Sequence, residues 1–196
     1  MDADTVRPLH DRAQLLSVLT TLLDLVGGGT DYRLVGTGAA LLQGVDLPTG
    51  DIDILLKQRA DVDRFAAALS GFPCLDPPAW LAGAAQYFAH FVVAGVKVGF
   101  STVEYRADTD VVECAGAGPW RHYVVVPCGQ HAVPAVRLEL RLVSELVRNC
   151  PDRWRPLTDH LRDHGAALDL VRRGMTDRAV PPPLQREVLN LLRPTR

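Results

Sequence analysis

The segment from residue 32 to residue 56 constrains this chain more than any other, because it changes structural type several times within a short span. Tyr32 to Val35 reads as a short strand, Gly36-Thr37-Gly38 as a glycine turn, Ala39 to Gln43 as a small-residue helical stretch, and Pro48-Thr49-Gly50 as a second turn. The segment ends on Asp51-Ile52-Asp53-Ile54-Leu55-Leu56, an aliphatic strand headed by two acids. Strand parity puts Asp51 and Asp53 on one face and points Ile52 and Ile54 into a core. Two carboxylates a few ångströms apart raise each other's proton affinity unless a cation lies between them, so a divalent metal is the expected occupant. Mg²⁺ suits such a pair, since it takes one or two carboxylates and leaves its other positions to water and substrate phosphates. Upstream, the Gly36-Thr37-Gly38 turn follows a strand and opens a helix, where bare N–H groups and a hydroxyl can cradle phosphate. Either motif alone is common in loops and turns; their order along the chain is more specific.

The flanking sequence supplies layers for this segment to pack on. Asp11 is positioned to cap a helix carrying Leu15, Leu19, Leu22 and Val26, which Gly27-Gly28-Gly29 ends. Asp61 is expected to cap another helix with Val62, Phe65, Ala66 and Leu69. Tyr87 to Val93 and Val96 to Val103 form a hairpin around Ala94-Gly95, and His122 to Val126 reads as a further strand, giving four or five strands. From Arg137 the pattern turns helical, with Leu138, Leu142, Leu146, Leu157, Leu161 and Leu168, and Pro181-Pro182-Pro183 precedes a last amphipathic helix. The expected class is α+β: a mixed sheet flanked by helices over residues 1–130, and a helical C-terminal region over 131–196.

A chain of 196 residues, 47% hydrophobic and 22% charged, is sized for one ordinary domain or a compact catalytic domain with a helical appendage. No apolar run is long enough to cross a membrane, and Asp2 and Asp4 stand where a signal peptide would be basic, so a cytoplasmic location is expected. Cys74, Cys114, Cys128 and Cys150 form no C-x-x-C pair and read as buried, reduced thiols. Residues 1–136 carry 9 basic and 15 acidic side chains, whereas 137–196 carry 12 and 8. An acidic half that holds metal and a basic half that faces an anionic partner fit phosphate chemistry, and ordinary solvated surface accounts for the same asymmetry.

With Leu34-Val35-Gly36-Thr37-Gly38 and Thr49-Gly50-Asp51-Ile52-Asp53-Ile54-Leu55 in view, the chain resembles the nucleotidyltransferase superfamily built on the polymerase-β-like palm. The likeness is greatest to its small bacterial members, which include antibiotic-modifying and toxin-type transferases. It covers roughly residues 10 to 170, including the helical region that completes the substrate cleft in relatives. The resemblance implies nucleotide binding by Gly36 and Thr37, with the Thr37 hydroxyl in place of the usual serine, and Mg²⁺ ligation by Asp51 and Asp53, which are also the implied catalytic residues. It further implies transfer of a nucleoside monophosphate from a nucleoside triphosphate to a hydroxyl of a small molecule, an RNA or a protein.

The family's third carboxylate, on a neighbouring strand, has no counterpart in Val96-Lys97-Val98-Gly99-Phe100, where Gly99 occupies the expected position. Glu104 falls on the opposite face by parity, and Asp108 and Asp110 sit in the loop beyond. A catalytically degenerate module that keeps the fold for binding is therefore the alternative reading, and a toxin acting on tRNA is a third, drawn from the basic C-terminal region. Lys97 shares Gly99's face and reads either as a phosphate contact or as a solvent-facing lysine on an edge strand. Arg141, Arg148, Arg153 and Arg155 read as acceptor contacts or as helix-surface partners of Glu145 and Asp152. His160 and His164 share a helical face without a third metal ligand, and Trp80, Trp120 and Trp154 carry no site assignment.

Overall fold

The computed structural model describes residues 6–9 and 11–193; Asp2 and Asp4 lie outside the described residues. Helix α1 (Arg12–Val26) begins where Asp11 accepts the Gln14 N–H at 2.8 Å, as an N-cap aspartate does. It is followed by β1 (Tyr32–Val35), α2 (Gly36–Leu42), β2 (Asp51–Leu56), α3 (Arg59–Ala68), β3 (Cys74–Leu81), β4 (Gln86–Val93) and β5 (Val96–Val103). The chain then runs through α4 (Gly118–Arg121), β6 (Tyr123–Cys128), β7 (His131–Val136), α5 (Leu138–Val147), α6 (Pro151–His164), α7 (Leu168–Asp177) and α8 (Pro182–Leu191).

Seven strands form one mixed sheet in the order β3-β4-β5-β2-β1-β7-β6, more than the four or five expected. The two unanticipated strands both contain proline. β3 carries Pro77-Pro78 and lies at an edge with register shifts against β4, where missing N–H groups are tolerated. β7 carries Pro134 and pairs in parallel with β1 and antiparallel with β6. Two other expectations shift by a turn. α2 begins at Gly36 itself, so the glycine turn is the helix's first turn. α3 has Gln58 at its N-cap, which leaves Asp61 within the first turn, where its charge still complements the helix dipole.

The sheet has two differently covered faces. Ile52, Ile54 and Leu56 of β2 join Phe65 of α3, Leu15, Leu19 and Leu22 of α1, and Val98 and Phe100 of β5 in one aliphatic and aromatic core. On the other face Leu55 packs with Val35, Val111, Val136, Leu140 of α5 and Leu170 of α7 in a smaller cluster. The C-terminal helices form their own core from Leu142, Leu146, Trp154, Leu157, Leu161 and Met175, which also takes in Ala40, Val45 and Leu47 from around α2. The face carrying α5 is therefore built from both halves of the chain, and it is the face toward which Asp51 and Asp53 point. All four cysteines are free thiols; Cys128 alone is buried, whereas Cys74 is exposed and Cys114 and Cys150 are half-buried, so burial is not general among them. No helix among the described residues is long and apolar enough to cross a membrane.

Candidate active site

Asp51 and Asp53 open β2 on the same face, both half-buried, while the alternating isoleucines are fully enclosed on the other. β2 pairs in parallel with β5, with Asp51 opposite Lys97 and Asp53 opposite Gly99. Lys97 Nζ lies 3.7 Å from Asp51 Oδ2. β5 is an interior strand, which replaces the edge-strand reading of Lys97: its ammonium lies beside Asp51, and its charge acts on Asp53. Burial pushes the Asp53 carboxyl up to about 6, the nearby Asp51 and Glu113 charges push in the same direction, and Lys97 and Arg141 oppose them. A carboxylate pair with one lysine beside it remains short of positive charge at neutral pH. No group of three or more His, Cys, Asp or Glu side chains converges to hold a metal among the described residues. Two carboxylates alone suit a hard cation that keeps water and takes its other oxygens from phosphate, not a fully protein-caged ion.

Gly36 stands against this pair. Its φ is +70°, and a Cβ there would sit 2.9 Å from Asp53 Oδ2, so glycine serves both the left-handed backbone and the close approach. The Gly36 N–H donates to Glu113 Oε1 at 3.0 Å, and Thr37 is buried beside it at 9% exposure. Glu113 comes from the loop after β5 and is itself 3% exposed. Arg141 of α5 reaches Glu113 Oε2 at 3.2 Å and also pairs with Glu145 one turn on. Arg148 and Arg153 approach Glu145 at 3.6 and 3.9 Å. Glu145 is thus the partner of Arg141, Arg148 and Arg153, whereas Arg155 lies 5.3 Å from the Trp154 ring centroid. Arg141 is buried, not a surface residue, and it ties α5 to the loop that meets Gly36.

On the far side of Gly99 the hairpin register places His90 directly opposite, and the next pair along the row is His90 with Asp76 on β3. A Cβ at Gly99 would lie 3.0 Å from His90 Cδ2, 3.2 Å from His90 Nε2 and 3.4 Å from Asp53 Oδ1. The position expected for a third carboxylate is therefore bordered by an imidazole. His90 Nδ1 is 2.8 Å from Asp76 Oδ2. The other acids considered lie elsewhere. Glu104 forms a two-bond pair with Arg59 at 2.7 Å on the α3 side. Asp110 meets His122 at 3.0 Å and Arg173 at 3.3 Å, and Asp108 is exposed. His160 and His164 stack with centroids 4.0 Å apart beside a separate cleft lined by Arg12, Gln43 and Arg137.

Sequence reasoning did not identify Glu113, His90 or Asp76. Glu113 lies in an irregular loop with no periodic signal. His90 was within reach: a hairpin with two loop residues, Ala94 and Gly95, pairs Val93 with Val96 and, three steps on, His90 with Gly99.

No protein-family model matches the chain, and no curated protein sequence matches it. Solved structures do. A candidate nucleotidyltransferase from Thermotoga maritima superposes with a TM-score of 0.58 over 78% of this chain and 96% of its own, at 18% identity. An antigenic nucleotidyltransferase-like protein from Paracoccidioides brasiliensis covers 96% of this chain and 97% of its own, with a TM-score of 0.48 and 12% identity. A candidate nucleotidyltransferase from H. pylori covers 92% and 89%, with a TM-score of 0.47 and 14% identity. The Thermotoga superposition, together with the mixed sheet that carries Asp51 and Asp53 at its centre, shows that this chain shares the fold of that candidate nucleotidyltransferase.

Proposed function

We propose that the chain is an Mg²⁺-dependent nucleotidyltransferase that moves a nucleoside monophosphate from a nucleoside triphosphate to a hydroxyl acceptor, with pyrophosphate leaving. The observation that carries this reading is the Asp51 and Asp53 pair, side by side at the head of an interior strand, pressed by Gly36 and compensated by one lysine at 3.7 Å. Asp51 and Asp53 would hold the ion, which when bound supplies charge neutralisation for the phosphates of the transfer. Gly36 and Thr37 would orient the β and γ phosphates, a phosphate oxygen taking over from Glu113 as acceptor of the Gly36 N–H. Lys97 supports the same charge distribution from the adjacent strand. The fold shared with a candidate nucleotidyltransferase supports the class of chemistry, but a fold alone does not select an acceptor.

Calorimetric titration of the four nucleoside triphosphates, with and without Mg²⁺, tests this on the wild type and on Asp51→Asn/Asp53→Asn. Metal-dependent binding that disappears in the double variant is the expected result. Binding that is unchanged in the variant refutes the assignment of these carboxylates.

A second reading is favoured by one observation: Glu113 already accepts the Gly36 N–H at 3.0 Å. A chain that keeps the fold for binding, without transfer, would hold that bond permanently. Pyrophosphate release separates the two readings, since only a transferase produces it.

A further inference from the structure

Resting on the transferase reading, we propose that His90, oriented by Asp76, is the catalytic base that removes the acceptor hydroxyl's proton, standing where relatives place a third carboxylate. Four residues on four adjacent strands share one cross-sheet row: Asp53, Gly99, His90 and Asp76. Cross-strand neighbours point to the same face, so the row delivers an acid, a gap, an imidazole and a second acid side by side. The gap is what makes the arrangement chemical. Because Gly99 has no side chain, the imidazole edge leans over it, and the Cβ position left vacant lies 3.2 Å from His90 Nε2 and 3.4 Å from Asp53 Oδ1. A carboxylate side chain at 99 would have to displace this ring, whose Cδ2 is 3.0 Å from that Cβ position. Glycine at 99 and histidine at 90 are thus a matched pair.

Asp76 settles which nitrogen does the work. Its Oδ2 lies 2.8 Å from His90 Nδ1, so the neutral ring carries its proton on Nδ1 and donates it to Asp76. That leaves the Nε2 lone pair directed at the gap beside Asp53. A histidine held this way by a carboxylate is the arrangement that orients a general base toward a hydroxyl. The imidazole is partly open, with 23% of its side chain exposed, so an acceptor can reach it. In the step proposed, the acceptor O–H proton passes to Nε2 as the oxygen attacks the α-phosphorus. The bond from that phosphorus to the bridging oxygen breaks, and its electron pair leaves with pyrophosphate. Asp76 stabilises the imidazolium and does not itself accept the proton; it is a positioning residue.

The test has a spectroscopic arm and a turnover arm. Long-range ¹H–¹⁵N spectra of the wild type should show neutral His90 as the Nδ1–H tautomer, and Asp76→Ala should shift it toward Nε2–H; a wild type already in the Nε2–H form overturns the proposal. Pyrophosphate release is then measured from the four nucleoside triphosphates in Mg²⁺, with glycerol and a tRNA pool as acceptors. His90→Ala should lower release by about 10²–10⁴-fold while calorimetric binding of the same nucleotides stays within about twofold, as expected of a residue that acts on the acceptor and not on the nucleotide. Asp76→Ala should also lower release, and Asp76→Asn, whose amide oxygen still accepts the Nδ1–H hydrogen bond, should recover part of that loss. Release by His90→Ala at the wild-type rate overturns the base while leaving the transferase intact. A wild type that binds nucleotide and releases no pyrophosphate to either acceptor overturns the base and favours the binding module. A wild type that binds no nucleotide overturns the transferase reading, and this inference with it.

Discussion

Asp53 and Glu113 are both shielded carboxylates on the face of the sheet that carries α5, yet the protein treats their charges in opposite ways. Glu113 is enclosed by its own chain's donors: the Gly36 N–H at 3.0 Å and the Arg141 guanidinium at 3.2 Å, with Arg141 itself shared with Glu145. Asp53 has a second acid for a neighbour, the Lys97 and Arg141 charges oppose its protonation without cancelling burial, and its carboxyl is held up at about 6. The first centre is ion-paired as the chain folds, with Arg141 Nε and both Glu145 carboxylate oxygens left without hydrogen-bond partners, and the second is short of a cation. Buried charges that are fully paired lock neighbouring elements together, whereas buried charges left under-compensated mark a place where something else is meant to bind.

Breaking the ion-paired centre should have the largest effect. Arg141→Ala leaves Glu113 and Glu145 buried without their shared partner and should cost about 3–5 kcal/mol, read as a lowered urea midpoint. A cost under about 1 kcal/mol would mean that the loop carrying Glu113 simply opens to water, and that the two centres are alike after all.

The incomplete centre should respond with the opposite sign. In metal-free protein Asp53→Asn removes a charge that burial opposes, so stability above pH 6 should rise by about 1–3 kcal/mol, since each tenfold gain in proton affinity corresponds to about 1.36 kcal/mol. The pH dependence carries the same information. With its carboxyl raised from 3.8 to about 6, folded Asp53 binds a proton more tightly than the unfolded chain does. Metal-free stability should therefore fall as pH rises through that window and level off above it. The asparagine variant should lack this slope, and added Mg²⁺ should restore stability to the wild type but not to the variant.

Smaller effects sharpen the distinction. Lys97→Ala should change stability by no more than about 1 kcal/mol, because the pair is partly exposed, but it should move the Asp53 titration further upward, which is visible by carboxyl ¹³C NMR. Smallest of all, Glu104→Gln removes an acid from the α3 side of the same strand region, where it pairs with Arg59 and not with the site. Nucleotide binding by that variant should match the wild type; a loss would show that the two faces of the sheet are coupled.

Much of this was legible in one dimension. β2 is found at Asp51–Leu56, where the alternation of acids and isoleucines put it, and the Asp11 cap, the hairpin turn at Ala94-Gly95 and the leucines of α5 and α6 are likewise local patterns read directly. The two missed strands fail for an equally local reason: Pro77-Pro78 and Pro134 argue against strand unless the neighbours of those residues are known. Glu104 was correctly sent to the opposite face because parity is a property of the strand alone.

The sequence by itself determined that two carboxylates would share a face beside a glycine turn, since strand parity and turn chemistry depend only on nearby residues. Tertiary structure alone decided what surrounds them. Glu113 reaches Gly36 across 77 positions and Arg141 reaches Glu113 across 28, while Asp76 meets His90 only through the placement of an irregular edge strand. Those contacts are set by how the sheet orders its strands and where α5 lands, and long-range packing of that kind leaves no period in the sequence to read.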